Sequence, residues 1–293
     1  MKNPLVSIVI LMWNSAEFIE RCLESLSWQT YGNREIIVLD NASSDDSLSR
    51  AKNSPHSSIV KKFIANEKNL GCAGGNNAGW RASSGGIVVF LNPDIVADKN
   101  WLENLVSVLG SDPKAAIAGC KLYYPNSRII QHAGGRLHPN AMSEHYGAGE
   151  EDSGQYDEMR DVDYVTGAAM AVKREFLEEA GGFDEIYFPA YYEETDLCYR
   201  AHKKGRRVLY VPRAVAYHYE SAGLSRLSRS FYEMYYTMRI RFVVKNYSFL
   251  EIITRFIPFE IRWMLFEKKA KGFRLMQLPA YWKGLQYKIM GTC

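Results

Sequence analysis

Between residues 5 and 110, an apolar, β-branched run four times gives way to apolar residues at helical spacing, and this alternation restricts the chain to an α/β fold. Leu5 to Trp13 ends at Asn14-Ser15, after which Ala16, Ile19, Cys22, Leu23 and Leu26 recur three and four apart. Glu35 to Leu39 precedes a helix from about Asp45, Ile59 to Ala65 one from about Ala73, and Ile87 to Leu91 one from about Asp98. Asn14 followed by Glu17 has the form of an N-capping arrangement. Strand and helix units this short predict a doubly wound, mostly parallel sheet flanked by helices. Ligands of such sheets bind beyond the carboxyl ends of the strands. The loops at Asn14, Asp40, Asn69 and Asp94 therefore gather at the expected binding edge.

Ala115 to Leu122 reads as a fifth strand and Arg128 to Leu137 as an irregular hairpin segment. His138 to Arg160 is polar and acidic without periodicity, which predicts a mobile loop. Asp163 to Val172 resumes strand character, Lys173 to Ala180 is a short helix closed by Gly181-Gly182, and Glu193 to Lys204 is helical. Val208 to Val211 and Val215 to Tyr219 read as two short strands. The length of 293 residues and 47% hydrophobic content support one large core and exclude a disordered chain. Cys22, Cys72, Cys120, Cys198 and Cys293 form no CxxC pair and follow no secretory leader, so reduced thiols in a cytoplasmic protein are expected. Charges interrupt every apolar stretch before it reaches spanning length.

The candidate functional residues each admit a plain structural reading beside a chemical one. Asp40, ending a buried strand, is either a capping-turn residue or an acceptor for the imide N–H of a uracil or thymine base. Asn69 to Gly79 sets four glycines and three asparagines at a strand-to-helix junction, where backbone N–H groups accommodate anions or a turn simply forms. It lacks G-x-G-x-x-G and follows the third strand, which removes the support for a dinucleotide-dependent oxidoreductase. Asn92-Pro93-Asp94 makes a good turn, and Asp94 could equally ligate Mg2+ or Mn2+. Asp98 reads as a helix cap. Glu193, Glu194 and Asp196 crowd a helix start, where the macrodipole favours anions. Mutual repulsion also raises their proton affinity, as a general base requires. Glu193 and Asp196 share a face while Glu194 points elsewhere, so one carboxylate can be anchored while another meets substrate. His218, at the end of an apolar strand, is either a structural histidine or a contact for metal or diphosphate.

These segments, in this order from about Val6 to Ser225, resemble family 2 of the inverting nucleotide-sugar glycosyltransferases. They include Val38-Leu39-Asp40-Asn41-Ala42-Ser43, the Asn69 to Gly79 loop, Leu91-Asn92-Pro93-Asp94, Thr166-Gly167-Ala168-Ala169-Met170, Gly181-Gly182-Phe183-Asp184-Glu185, Glu193 to Leu197 with Arg200, and His218. The resemblance implies a GT-A fold and a divalent metal cofactor, Mg2+ or Mn2+. It implies that Asp94 is the retained acid of the family's DxD-type motif, with His218 as a metal helper, and that Glu194 occupies the catalytic-base position, with Asp196 and Glu193 as rivals. Implied donor-binding positions are Asn14, Asp40, Asn41, Asn69, Gly71, Gly75, Asn76, Asn92, Gly167 and Ala168. Two departures stand out: Asn92 replaces the first acid of the metal motif, and Glu194 stands where the family more often has Asp. Asn-Pro-Asp is similar to the branch of bacterial rhamnosyltransferases that use dTDP-L-rhamnose. A UDP-hexose or UDP-N-acetylhexosamine donor is the alternative, and a non-catalytic nucleotide-sugar-binding or scaffold protein is the reading from a different class.

Composition changes after Gly223. Residues 226–293 carry 13 Lys and Arg against 4 Asp and Glu, whereas residues 1–225 carry 23 against 29. We therefore expect a catalytic domain over 1–223 and a basic, aromatic helical appendage over 224–293. Phe249, Ile252, Ile253, Phe256, Phe259 and Trp263 fall on a helix interrupted by Pro258, with Arg255, Arg262, Lys268, Lys269 and Lys271 nearby. That pairing suits either packing on the body or peripheral contact with an anionic membrane at its cytoplasmic face. The expected partners are a nucleotide-sugar donor and a saccharide or lipid-linked acceptor of cell-surface polysaccharide synthesis. No basic-aromatic module for nucleic acid is present. A sugar-1-phosphate nucleotidyltransferase would need a basic, Gly-rich loop after the first strand, and Leu11 to Ser15 supplies none.

Overall fold

A computed structural model describes residues 3–220, 228–266, 279–284 and 286. The chain opens with β1 (Val6–Met12), α1 (Ile19–Ser27), β2 (Arg34–Asp40), α2 (Ser47–Asn53), β3 (Val60–Ala65), α3 (Gly71–Arg81) and β4 (Ile87–Leu91). A short β5 (Ile95–Ala97) then leads into α4 (Trp101–Ser111), β6 (Ala115–Tyr123) and β7 (Ile130–His132). Next come β8 (Gly135–Leu137), β9 (Ser143–His145), β10 (Arg160–Asp161), β11 (Ala169–Lys173), α5 (Arg174–Ala180), α6 (Glu193–Lys203) and β12 (Arg207–His218). The helices α7 (Arg229–Asn246), α8 (Phe249–Glu251) and α9 (Ile257–Phe266) follow. The chain divides into two compact units, one of residues 1–136 with 145–221 and one of residues 137–144 with 222–293.

In the first unit the main sheet runs β10-β12-β6-β11-β4-β1-β2-β3. The strands β1, β2, β3 and β4 are mutually parallel. β11 lies antiparallel between β4 and β6, and β12 is again parallel to β6. Central strands carry continuous apolar runs because both faces are covered: Ile8, Ile10, Val89 and Leu91 enter one core with α1 and α4, while Val9, Val88 and Phe90 enter the other with α5 and α6. Alternate residues of one strand thus belong to opposite layers.

Several local expectations need correction. Asn14 does not cap α1, which begins at Ile19 without a side-chain cap. It adopts φ 50°, and its Oδ1 accepts from the Ser44 backbone N–H at 2.8 Å, joining the first two loops of the binding edge. Asp98 does not cap α4 either; Asn100 stands at the cap, and Asp98 Oδ1 accepts from its N–H at 3.2 Å. The segment Asp163 to Val172 is strand only from Ala169, and the two strands expected after residue 208 are one strand with an irregularity between Val211 and Val215.

The acidic stretch expected to be a mobile loop is structured, and its residues 145–160 are held by charges and rings rather than by a periodic face. Lys121, buried on β6, reaches Asp152 at 2.8 Å and Asp157 at 2.5 Å, and Tyr123 donates to Asp152. Burial opposes ionisation of Asp152, but these donors and the Gly154 N–H hold its carboxyl at about 2. The Arg160 guanidinium stands 5.1, 5.0 and 5.5 Å from the rings of Tyr146, Tyr156 and Tyr210.

In the second unit, fully buried Arg239 forks onto Glu260 at 2.9 and 2.6 Å and donates to the Asn140 carbonyl at 3.0 Å. Asn140 Nδ2 donates to the same carboxylate at 2.6 Å, which ties residues 137–144 to the C-terminal helices. Pro258 does not interrupt the helical path. A π-helical stretch, Ile252–Phe256, stands just before it and α9 continues through it, which relaxes the backbone where the proline offers no N–H. The expected boundary at Gly223, the basic residues Lys268, Lys269 and Lys271, and Cys293 lie outside the described residues.

Lys121→Met is expected to leave Asp152 buried without its cation and to lower unfolding free energy by roughly 3–5 kcal/mol. Urea unfolding of wild type and variant measures this; a loss under about 1 kcal/mol would show the pair to be an ordinary surface-type contact.

Candidate active site

Parallel pairing sets the strand ends level with one another, with Met12 opposite Asp40 and Asp40 opposite Ala65. Asp40 is therefore buried where β2 stops, its Oδ2 accepting from the Ser43 N–H at 3.2 Å and its Oδ1 buried with no hydrogen-bond partner. A buried acceptor without a donor is costly in a folded protein.

The neighbouring asparagines are committed to the loop itself. Asn41 Nδ2 donates to Asn69 Oδ1 at 3.0 Å and to the Gly71 carbonyl at 3.2 Å, while its Oδ1 accepts from Asn66 and from the Leu70 N–H, both at 3.0 Å. Asn69 Oδ1 also accepts from the Gly71 N–H at 2.7 Å. Asn41 and Asn69 shape the entrance to α3. Gly71 takes φ 71° there, where a β-carbon would meet the backbone at Pro189. The glycines inside α3 have a packing role that the ligand-approach reading missed: β-carbons at Gly75 and Gly79 would collide with Leu11 and Val9 of β1. Asn76 is half-buried on the same helix. Asn77, unmarked in the sequence reading, holds Phe183 by both main-chain groups at 2.9 Å.

At the end of β4 the antiparallel neighbour matters. Ala169 pairs with Leu91, so the residues before β11 meet those after β4, and the Asn92 N–H donates to the Ala168 carbonyl at 2.8 Å. A β-carbon at Gly167 would lie 3.4 Å from Glu194 Cβ. The turn Asn92 to Asp94, the segment Gly167-Ala168 and the start of α6 thus converge. The Thr166 N–H donates to buried His132 Nε2 at 3.3 Å, and His132 Nδ1 lies 3.1 Å from His145 Nδ1. Burial, then the neighbouring His145 and His218, keep His132 well below its ordinary pKa, so it stays a neutral imidazole. No motif marks this histidine, and its signal in the sequence is the pair of polar residues inside the apolar run Ile129 to Ala133.

Asp94 is buried and immediately precedes β5, which pairs with the end of β12 so that His218 lies opposite Ile95. The Tyr219 N–H donates to the Asp94 carbonyl at 2.9 Å, and His218 Nε2 stands 3.3 Å from Asp94 Oδ1. Metal–oxygen bonds of about 2.1 Å set adjacent octahedral ligands about 3 Å apart, so this spacing fits a shared divalent ion. Carboxylate oxygen with imidazole nitrogen is a donor set for Mn2+ or Mg2+, with the remaining positions left to water and phosphate oxygens. Among the described residues no group of three or more His, Cys, Asp or Glu side chains gathers as a metal site.

The three carboxylates of α6 differ in surroundings. Two consecutive left-handed residues, Tyr191 (φ 79°) and Tyr192 (φ 72°), turn the chain into the helix. Asp196 is fully buried; Tyr187 Oη donates to its Oδ1 at 3.0 Å and Arg200 Nε to its Oδ2 at 2.7 Å. Arg200 also donates to the Ala180 and Gly182 carbonyls, each at 2.7 Å, fastening the end of α5. Both oxygens of Asp196 are thereby engaged, which anchors the start of α6 to the end of α5. Glu193 is buried with Oε2 lacking a hydrogen-bond partner, and burial, followed by the charge of Glu194, pushes its carboxyl well above the ordinary range. Burial pushes half-buried Glu194 up to about 7.

The family description "Glycosyl transferase family 2" matches residues 7–181, more than half of the chain. A protein of Sinorhizobium fredii is 31% identical over 230 residues, covering 75% of this chain, which spans only a quarter (25%) of that relative. The low-salt glycan biosynthesis hexosyltransferase Agl10 of Haloferax volcanii is 28% identical over 259 residues, 85% of this chain and 78% of the relative. Among solved structures, a mannosyltransferase from Pyrobaculum calidifontis, in complex with GDP-Man and Mn2+, superposes with TM-score 0.61 at 16% identity, over 99% of this chain and 88% of that one. The architecture is the GT-A fold. By its sequence, the chain belongs to glycosyl transferase family 2.

Both glutamates bind a proton more tightly in the folded state, so their stabilising contribution is full below the ordinary carboxyl value of 4.5 and is lost as pH rises, through about 7 for Glu194. Glu194→Gln cannot ionise. Its thermal midpoint is expected to match wild type near pH 4.5 and to exceed it at pH 8 by roughly 2–6 °C. Calorimetry at the two pH values decides this, and a midpoint below wild type at pH 8 would contradict the burial of that charge.

Proposed function

We propose that the chain is a metal-dependent inverting glycosyltransferase. Residues 1–223 would form its catalytic domain and 224–293 its helical appendage. It would move a sugar from a nucleoside diphosphate to a hydroxyl of a saccharide or lipid-linked acceptor in cell-surface polysaccharide synthesis. The observation that carries this reading is the convergence of Glu194, its carboxyl raised to about 7, with Gly167-Ala168 and the turn bearing Asp94. A base active near neutral pH and a buried carboxylate beside an imidazole are the two chemical parts such a transfer needs. Family membership supports them, as do the GDP-Man and Mn2+ in the similar mannosyltransferase.

In this mechanism Asp40 Oδ1 accepts the imide N–H of a uracil or thymine, an acceptor otherwise without a donor in the fold. Asn14, Asn41 and Asn69 hold the surrounding loops, and the main chain near Asn92, Gly167 and Ala168 borders the sugar diphosphate. Asp94 and His218 would hold a divalent ion, Mg2+ or Mn2+, which would supply positive charge to offset the negative charge growing on the leaving nucleoside diphosphate. Glu194 removes the proton from the acceptor hydroxyl as its oxygen attacks the anomeric carbon from the face opposite the diphosphate, and configuration inverts. Glu193, buried beneath with its proton favoured, keeps the region from carrying two adjacent charges. The first donor to test is dTDP-L-rhamnose, on the Asn92-Pro93-Asp94 sequence, followed by UDP-hexoses and UDP-N-acetylhexosamines.

The experiment is a panel of dTDP- and UDP-sugars scored for metal-dependent nucleoside diphosphate release. Glu194→Gln is expected to bind donor normally and to lose roughly 10²- to 10⁴-fold in kcat. The kcat/KM of wild type should rise with pH through about 7, because only the ionised carboxylate accepts the proton. Near-wild-type turnover of Glu194→Gln would move the role to Glu193. Asp40→Asn should weaken UDP and dTDP binding about tenfold, and unchanged binding would remove Asp40 from base recognition.

The described part of the appendage supports peripheral contact with anionic lipid. Phe249, Ile253, Ile257, Ile261 and Leu265 are exposed at four-residue intervals along the helical path, with Arg255 and Arg262 among them. No described helix is long and apolar enough to cross a membrane. Ile253→Asp with Ile257→Asp is expected to weaken cosedimentation with anionic vesicles about tenfold or more at moderate salt. Equal sedimentation of wild type and variant would place the membrane contact elsewhere or remove it.

A further inference from the structure

Gln131 lies on β7 inside the apolar run Ile129 to Ala133 and is almost fully buried, at 4% exposure. Its two ends meet different partners. Nε2 donates to Glu220 Oε1 at 2.8 Å, and Oε1 lies 2.7 Å from His218 Nδ1. An ionised carboxylate only accepts, so Glu220 draws the NH2 end of the amide and leaves the carbonyl oxygen toward His218. That oxygen also only accepts, so the proton of a neutral His218 ring resides on Nδ1. Nε2, the nitrogen 3.3 Å from Asp94 Oδ1, then carries the lone pair. The opposite tautomer would set the Nδ1 lone pair against the amide oxygen at 2.7 Å, a closer approach than the 3.3 Å between Nε2 and Asp94 Oδ1, where a bound cation would separate the two lone pairs.

We propose that Gln131 is a positioning residue of the metal centre: oriented by Glu220, it holds His218 as the Nδ1–H tautomer and so presents Nε2 as the second protein ligand beside Asp94. The inference rests on the reading of Asp94 and His218 as the metal pair. Topology makes the relay possible, because β7 pairs with β6 and β6 with β12, which brings Gln131 and His218 within one strand of each other. With two protein donors in the pair, correct presentation of one of them governs a large part of the affinity. Partners that fix a ligating histidine change metal affinity by roughly 10- to 100-fold when removed.

The test uses the full chain and two readouts independent of turnover. In metal-free protein labelled with 15N-histidine, NMR should show His218 as the Nδ1–H tautomer, and the Nε2–H form in wild type would overturn the proposal even if no variant folds. Mn2+ binding in the presence of UDP or dTDP, followed by calorimetry, should weaken roughly 10- to 100-fold in Gln131→Leu, with the cooperative melt retained. The double variant Gln131→Glu with Glu220→Gln restores an acceptor toward His218 and a donor behind it, so it should return within about threefold of wild type. Loss of binding in Asp94→Asn alongside unchanged binding in Gln131→Leu overturns the role of Gln131 and leaves the metal pair standing. Unchanged binding in both overturns the metal pair and the proposal with it.

Discussion

Main-chain pairing of β4 with neighbours of opposite direction governs which residues gather around the turn that bears Asp94. On one side β1 runs parallel, with Ile10 opposite Leu91, so the loops that leave both strands emerge at the same edge. On the other side β11 runs antiparallel, with Ala169 opposite Leu91, so the residues entering β11 arrive at that edge. Hydrogen-bond geometry thus makes Asn92 and Ala168 neighbours. A parallel β11 would send Thr166 to Ala168 to the far end of the sheet, away from Asp94. The same device operates a second time, because β5 runs antiparallel to the end of β12 and brings His218 to the residue that precedes β5.

Period and punctuation made the parallel half legible. The runs at residues 6–12 and 87–91 alternate between the two cores, and all four apolar runs, with 34–40 and 60–65, are followed by polar turn residues. Strand direction was not legible, because Ala169 to Lys173 is an apolar run that reads the same either way. Three-residue β5 is too short to show a period. Residues 145–160 were misread as mobile because their order comes from Lys121, Asp152 and Arg160 in contact across distant sequence, which no local pattern records. At the site, residue type and spacing marked Asp40, Asp94, His218 and the Glu193 to Asp196 cluster as candidates, and the family resemblance singled out Glu194. They could not separate Asp196 from its neighbours, since that depends on Tyr187 and Arg200. Nor could they tell that Gly75 and Gly79 of α3 face β1, and Asn14 looked like a helix cap because the Ser44 N–H it serves is thirty positions away.

The start of α6 shows how three carboxylates of one sequence motif come to differ. A helix N-terminus favours an anion by roughly 0.3–1 kcal/mol, up to about 2 in partly buried geometry. Removing a carboxylate from water costs more, and for Glu193 and Glu194 burial is the larger effect. Asp196 is instead accompanied by Arg200, and the same arginine carries the restraint to Ala180 and Gly182. Glu194 is half-buried against Gly167, where an added β-carbon would stand in van der Waals contact with its side chain. A stability cost concentrated on the group that must change protonation is a common feature of functional sites.

The substitution at Asn92 bears on the metal reading through charge. A paired-acid motif would bring two negative charges to the ion, whereas Asp94 with a neutral His218 brings one. Such a site binds a divalent ion weakly alone, so its affinity must depend more on the diphosphate of the donor, and metal and nucleotide should bind cooperatively. Coupling of this kind gives weight to features that cost no charge, such as the tautomer of an imidazole. Gln131 and Glu220 provide that feature from the hydrogen-bond network around β7 and the end of β12. On the proposed metal reading, the neutral Asn92 in the turn and an oriented histidine are two parts of a single arrangement, in which geometry supplies part of what charge does elsewhere in the family's motif.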